Sequence, residues 1–273
     1  MIRWATENGW WLVTHPDHAR LAGAFAERWG NAMFRRPEPR RQVMLGIRTH
    51  DDGWAVRDAA PQTTQQGLPA AFSVELVGRY SAFEEIDLAD YLALRERAVA
   101  VMAEIDPYAA LLVSLHTYNL LTERADQSTF AAEQLPMLDA FVERQRRLQQ
   151  ELHARARAAE VFSAEELEGE RIGDNFRLLQ ATDNLSLLAC VDYRPPATLL
   201  HELPLVGGGW RAVKVESVGE RRFRLTPYPF DEAEVSIGFP ARHVAGKRFG
   251  SAAELQAAYA RAEVQELTVT VCG

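Results

Sequence analysis

The chain opens with two strand-like runs, MIRWAT and GWWLVT, about the turn signal ENG, and this hairpin is what most constrains the fold. A two-stranded hairpin alone is marginal in water, so residues 1–14 need a sheet supplied from elsewhere. Strand-like alternation returns only after RPPAT, in WRAVKVESV, RRFRLTPYPF and AEVSIGFPARHV, followed by a short helix SAAELQAAYARA and a last strand VQELTVTVCG. The first residues and the last seventy or so are therefore expected to form one sheet. The GGG of LVGGGWRAV reads as a hairpin turn within that portion.

Between them the periodicity is helical. HPDHARLAGAFAERWG has Pro16 in a first turn, Leu21, Ala22 and Phe25 on one face, and Gly30 as a stop. A second helix is expected from Arg40 to Asp51, ending near Gly53, and residues 55–85 have loop chemistry. Further helices are expected in DLADYLALRERAVAVMAEI, in DPYAALLVSLHTYNLLTERA with Asp106 as N-cap and Pro107 behind it, and in the long polar-faced run from Ser128 to Glu160, with a kink at Pro136. Ser163 and Glu166 form a capping-box pattern ahead of a last helical stretch ending near Asp192. The expected fold class is mainly α: a helical bundle over residues 15–195, with a small β-rich portion made of residues 196–273 and joined by the N-terminal hairpin, residues 1–14.

Composition narrows the function classes. With 273 residues, 47% of them hydrophobic, the chain can bury a substantial core. A net charge of −8 argues against general nucleic-acid binding, because phosphate contacts need a basic face. No long uncharged apolar run and no basic-then-apolar leader occurs, so the expectation is a cytoplasmic protein off the membrane, with room for a homo-oligomer. Cys190 and Cys272 show no disulfide or zinc-ribbon spacing and read as two buried thiols.

The chemistry lies in ionisable residues on apolar helix faces. His18 precedes Leu21, Ala22 and Phe25 by three, four and seven residues, which turns it toward the core. His50 follows Val43 and Ile47 at helical spacing, and Asp51 is the next residue round. His116 shares a face with Leu112, Val113 and Leu120, and Asp183 with Phe176, Leu179 and Leu187. Leaving a buried carboxylate without its partner costs roughly 3–5 kcal/mol. Each group can be satisfied locally, but one divalent cation answers them together, because neutral imidazoles and carboxylates are its usual ligands.

The order His18, then His50-Asp51, then Asp183 resembles the H…HD…D pattern of the HD-domain superfamily of metal-dependent phosphohydrolases. The likeness is tightest at LGIRTHDDGW. The segments DHARLAGAFAERWG, HDDGW, YAALLVSLH and ATDNLSL look, more narrowly, like a bacterial family of unassigned function. The resemblance implies an HD-like bundle holding one or two divalent ions (Mn, Fe, Zn, Ni or Mg) on His18, His50, Asp51 and Asp183, with His116 as a further ligand or a general acid. Where many superfamily members carry a lysine after the glycine, this chain has Trp54, so no lysine role transfers.

On that basis the expected activity is hydrolysis of a small phosphorylated metabolite or nucleotide by metal-activated water. Asp51 would orient or deprotonate the water, and Arg48 or Arg177 would meet the phosphate. Asn184 and Ser186 are candidates for supporting hydrogen bonds, and Trp54 and Asp58 for walls of the site. His15 reads as a residue before the helix, and His153, on a charged helix, as solvent-facing. Two alternatives remain open: an iron-dependent oxygenase on the same ligands, and a non-catalytic metal-binding or interaction protein. No G-x-S-x-G, Walker, H-E-x-x-H or G-x-G-x-x-G motif is present.

Overall fold

The computed structural model describes residues 1–77, 86–125 and 130–273. The hairpin forms as expected, with β1 (Ile2–Ala5) antiparallel to β2 (Gly9–Val13). Eight α-helices are described: α1 (His15–Arg28), α2 (Arg40–Thr49), α3 (Ala55–Ala59), α4 (Leu88–Ile105), α5 (Pro107–Asn119), α6 (Leu135–Ala158), α7 (Gly169–Cys190) and α8 (Ala252–Arg261). The remaining strands are β3 (Ala197–Thr198), β4 (Leu203–Pro204), β5 (Trp210–Arg211), β6 (Lys214–Gly219), β7 (Arg222–Thr226), β8 (Glu234–Ala245) and β9 (Val264–Cys272).

Local chemistry sets the helix starts. The Thr14 hydroxyl accepts from Asp17 N at 3.1 Å ahead of Pro16, and Asp106 accepts from Tyr108 N and Ala109 N ahead of α5. The Ser163–Glu166 capping box is made, but it caps a short 3-10 turn (Glu165–Leu167), and α7 begins only at Gly169. Pro136 lies in the first turn of α6 and starts that helix instead of kinking it, because a first-turn position needs no N–H. The Ser128 end of the expected long helix lies outside the described residues. So does part of the 55–85 loop, whose described portion contains α3.

The expected mainly α bundle with a small β appendage is not what forms. Helix makes up 51% and strand 21% of the described residues, and seven strands build one sheet in the order β1-β2-β8-β9-β7-β6-β3. Its pairings are antiparallel except β7 with β9. The hairpin joins the tail through β2 and β8, with Gly9 opposite Ala245. β8 and β9, of 12 and 9 residues, match the strand-like runs in length. Their alternating side chains Val235, Phe239, Val269 and Val271 belong to the same continuous core as Phe25 of α1, Leu112 of α5 and Leu179 of α7. The sheet thus forms one wall of the main core, and the fold is mixed α and β.

Helix α5 is buried on nearly every face, and α1, α2, α4 and α6 pack around it or against its neighbours. Gly46 lets α2 approach the α5 backbone, since a Cβ there would stand 3.3 Å from the Ala109 carbonyl oxygen. The turn of Gly208 and Gly209, both at positive φ, links β4 to β5 as expected of the triple glycine. Cys190 is buried, whereas Cys272, the last residue of β9, is half-buried, so the expected pair of buried thiols holds only for Cys190. No helix among the described residues is long and apolar enough to cross a membrane.

Candidate metal centre

Four helices converge on one point. α1 carries His18, the end of α2 carries His50 and the residue after it Asp51, α5 carries His116 and α7 carries Asp183. All five are buried, at 5% exposure or less. His18, His50, His116 and Asp183 stand on the apolar faces of their helices, and the packing of α2 and α7 on α5, with α1 against α2 and α7, brings those faces together. His50 caps α2, so the chain turns at Asp51 and both side chains reach the same space.

His18 Nε2 lies 3.0 Å from Asp51 Oδ2, and His50 Nε2 lies 3.9 Å from that oxygen and 3.4 Å from Asp183 Oδ1. Two overlapping triads, His18-His50-Asp51 and His50-His116-Asp183, each keep their ligand-type atoms within 4.8 Å of one another. Ligands about 2.1 Å from one ion stand no more than ~4.2 Å apart, and the His18–Asp51, His50–Asp51 and His50–Asp183 separations fall within that limit.

Hydrogen bonds behind the rings decide which nitrogen faces the site. His50 Nδ1 donates to the Ile47 carbonyl at 2.7 Å. Ser186 gives its own proton to the Asp183 carbonyl, so its oxygen accepts from His18 Nδ1 at 2.9 Å. In both rings the proton is held on Nδ1, and the Nε2 lone pair is turned toward carboxylate oxygens. His50 Nε2 is buried with no hydrogen-bond partner, the 3.4 Å approach to Asp183 being an ion-pair distance without hydrogen-bond geometry. A lone pair facing an anion is repulsive. Such an arrangement is satisfied by a second proton on the ring or by a metal ion between the atoms.

The electrostatics describe the protonated alternative. Burial opposes charge on His50, but Asp51 and Asp183 more than offset it and raise its pKa to about 9. Burial also disfavours the Asp51 and Asp183 carboxylates. Arg95 and His50 hold Asp51 well below the usual carboxylate range, and His50 lowers Asp183. His116 is pushed down to about 3, first by burial and then by the charge of His50. Its Nδ1 faces the Gln180 amide at 2.6 Å, and the Gln180 Oε1 is buried without a partner; the amide turned so that Oε1 accepts from Nδ1 satisfies both groups and leaves Nε2 of His116 without a proton.

Arg95 is the residue the sequence reasoning missed. Its Nη1 donates to Asp51 Oδ1 at 2.5 Å and its Nε to the Tyr91 hydroxyl at 3.1 Å, and its guanidinium lies beside the rings of Trp54 and Tyr91. The signal was available: Tyr91, Leu92, Arg95, Val99 and Met102 share the buried face of α4. The apolar-face test that found the histidines and aspartates would have found it too. Gly53 makes the approach possible, since a Cβ there would stand 2.8 Å from Ala98 Cβ and 3.1 Å from the Leu94 carbonyl oxygen. The glycine of HDDGW thus admits α4, and α4 brings the arginine.

Other expectations fall elsewhere. Arg48 is exposed and pairs with Glu27 at 2.6 Å, because its end of α2 faces α1 and solvent. Arg177 lies beside Asp174 and over the Trp210 ring. His153, half-buried, bonds the Leu167 carbonyl. Of the two supporting candidates, Ser186 bonds His18, as above. His15 begins α1 and stacks on Trp54 with ring centroids 4.4 Å apart. Asp58 binds the Met1 amine at 2.8 Å and His15 at 3.1 Å, forming a second polar cluster behind Trp54.

A family model described as "Protein of unknown function (DUF3891)" matches residues 1–246, a span that contains Arg95 and all five convergent residues. The chain belongs to this family. No curated protein and no solved structure matches it. The HD-domain resemblance is thereby corrected: the family found is DUF3891, and nothing in the comparisons connects it to the HD superfamily. A His-Asp doublet at a helix end and two further buried ligand types are a local solution that different folds can reach. The sheet sharing the main core of this DUF3891 chain also departs from an all-helical HD bundle.

Proposed function

We propose that the protein is a metal-dependent phosphohydrolase acting on a small phosphorylated molecule, with one divalent ion held by His18, His50, Asp51, His116 and Asp183. The observation that carries this reading is the buried, unpartnered Nε2 of His50, aimed with its lone pair between two carboxylates. Because Nδ1 is committed to Ile47, His50 offers one lone pair, and the two triads that meet on it describe a single ion. Imidazole and carboxylate without thiolate suit Mn, Fe, Zn or Ni better than Mg.

A bound ion of this kind lowers the pKa of a water ligand toward neutrality and polarises a phosphoryl oxygen. The residues around it do the rest. Ser186 and Ile47 keep Nε2 of His18 and His50 free of protons, Arg95 holds one oxygen of Asp51, and Oδ2 of Asp51 is left to face the ion or accept a proton. The side chains of Asp51 and Asp183 are each 7% exposed and those of His18 and His50 1% and 0%, so the approach is from the carboxylate side.

Charge supports an anionic substrate. A divalent ion with Arg95, set against Asp51 and Asp183, leaves one net positive charge in a buried space, which an anionic oxygen would neutralise. The test is elemental analysis of protein purified without added metal or chelator, alongside His50→Ala, followed by phosphate release from a panel of phosphomonoesters. About one ion per chain in the wild type, loss in His50→Ala, and ion-dependent phosphate release are expected. Negligible metal in the wild type would overturn the reading, and iron with oxygen consumption in place of phosphate release would favour an oxygenase.

A further inference from the structure

We infer that Arg95 acts as the built-in second cation of a one-metal centre, fixing Asp51 as a one-oxygen ligand and making the loaded site selective for phosphate-type anions. The inference rests on the proposed metal reading and adds to it a specificity-determining residue that no motif marks. In two-metal hydrolases a second ion shares a bridging group and balances the charge of the anionic substrate. Here the Asp51 oxygen that could bridge, Oδ1, is already taken by Arg95 Nη1 at 2.5 Å, whereas Oδ2 faces His18 and His50.

The guanidinium is built in as firmly as a ligand. It is 5% exposed, its Nε is bonded to the Tyr91 hydroxyl, and the Trp54 and Tyr91 ring centroids lie 5.5 and 5.3 Å from its Cζ. Trp54 is itself braced on its other side by the stacked His15 ring, which Asp58 holds. The ion's two positive charges are matched by the Asp51 and Asp183 carboxylates, so the charge of Arg95 is left over. The arginine is therefore the source of the net positive charge, and an anion is what that charge selects.

The experiment compares metal-loaded wild type, Arg95→Met and Arg95→Lys for metal content, for metal affinity by chelator competition, and for binding of inorganic phosphate by calorimetry, with chloride and acetate as controls. The Met variant is expected to keep one ion while its phosphate affinity falls tenfold or more, and the Lys variant to stay within about threefold of the wild type. Where the Met variant does not fold, the Lys variant carries the test. Wild-type phosphate affinity in Arg95→Met, loss of phosphate binding in a metal-loaded Arg95→Lys, or equal affinity of the wild type for phosphate, chloride and acetate would overturn the inference. A wild type without metal would instead overturn the metal reading beneath it, so the two failures are distinguishable.

Discussion

Arg95 Nη1 lies 2.5 Å from Asp51 Oδ1, tying the middle of α4 to the turn after α2 across 44 residues of sequence. This buried ion pair lies beside the Trp54–Tyr91 ring contact and the close approach of Gly53 to Ala98, and it decides which way the Asp51 carboxylate faces. Its energetic weight follows from burial: removing one partner leaves the other charged and desolvated.

Arg95→Leu is accordingly expected to destabilise the chelator-treated protein by about 3 to 5 kcal/mol, measured by urea denaturation. Saturating divalent ion should recover part of that loss, because the ion then compensates Asp51. A loss below about 1 kcal/mol would show that the pair is not structurally important.

The pH dependence of the chelator-treated protein should follow His50. Its folded pKa, about 9, lies above its ordinary value, so its contribution is complete below roughly pH 6.5 and is lost as pH rises toward 9, an effect on the order of 3 kcal/mol. Asp51 and Asp183 are lowered, so their contribution is present above about pH 4 and disappears as pH falls through their folded values. Metal affinity should move oppositely to the first effect, increasing from pH 6.5 to 9 as His50 gives up its proton. Denaturation midpoints and chelator competition at matched ionic strength check both signs.

Ser186→Ala removes the acceptor that holds the His18 proton on Nδ1. Metal affinity is expected to fall about 10- to 100-fold with little change in stability. An unchanged affinity would mean that the orientation of His18 is set by packing alone.

Gly53→Ala should destabilise by about 1 to 3 kcal/mol, because the added methyl would stand 2.8 Å from Ala98 Cβ. Combining it with Ala98→Gly opens the same space and should recover stability beyond what the helix loses to the second glycine. If the double variant is no more stable than Gly53→Ala, the approach of α4 is not what the glycine serves.

Much of the fold was legible locally. The hairpin, the start of α5 and the glycine turn between β4 and β5 follow from residues within a few positions of each other, and the union of the hairpin with the tail follows from the hairpin's need for a sheet. The weight of the sheet was not legible. Whether Val235, Phe239 and Val269 form an appendage or a wall of the main core depends on what covers them, and α1 does so only once the chain has folded back. Family membership was misread for a related reason: the spacing of a few ligand-type residues repeats across unrelated backbones.

The apolar periodicity of each helix by itself determined that His18, His50, His116 and Asp183 would be buried, because side chains three and four residues apart share a face. Only the tertiary structure decided that those faces meet, that the ring protons sit away from the meeting point, and that Arg48 lies outside it while Arg95 lies within. Burial is a property of one helix and its pattern. Convergence is a property of how several helices cross, and that depends on contacts, such as Gly53 against α4, between residues far apart in the chain.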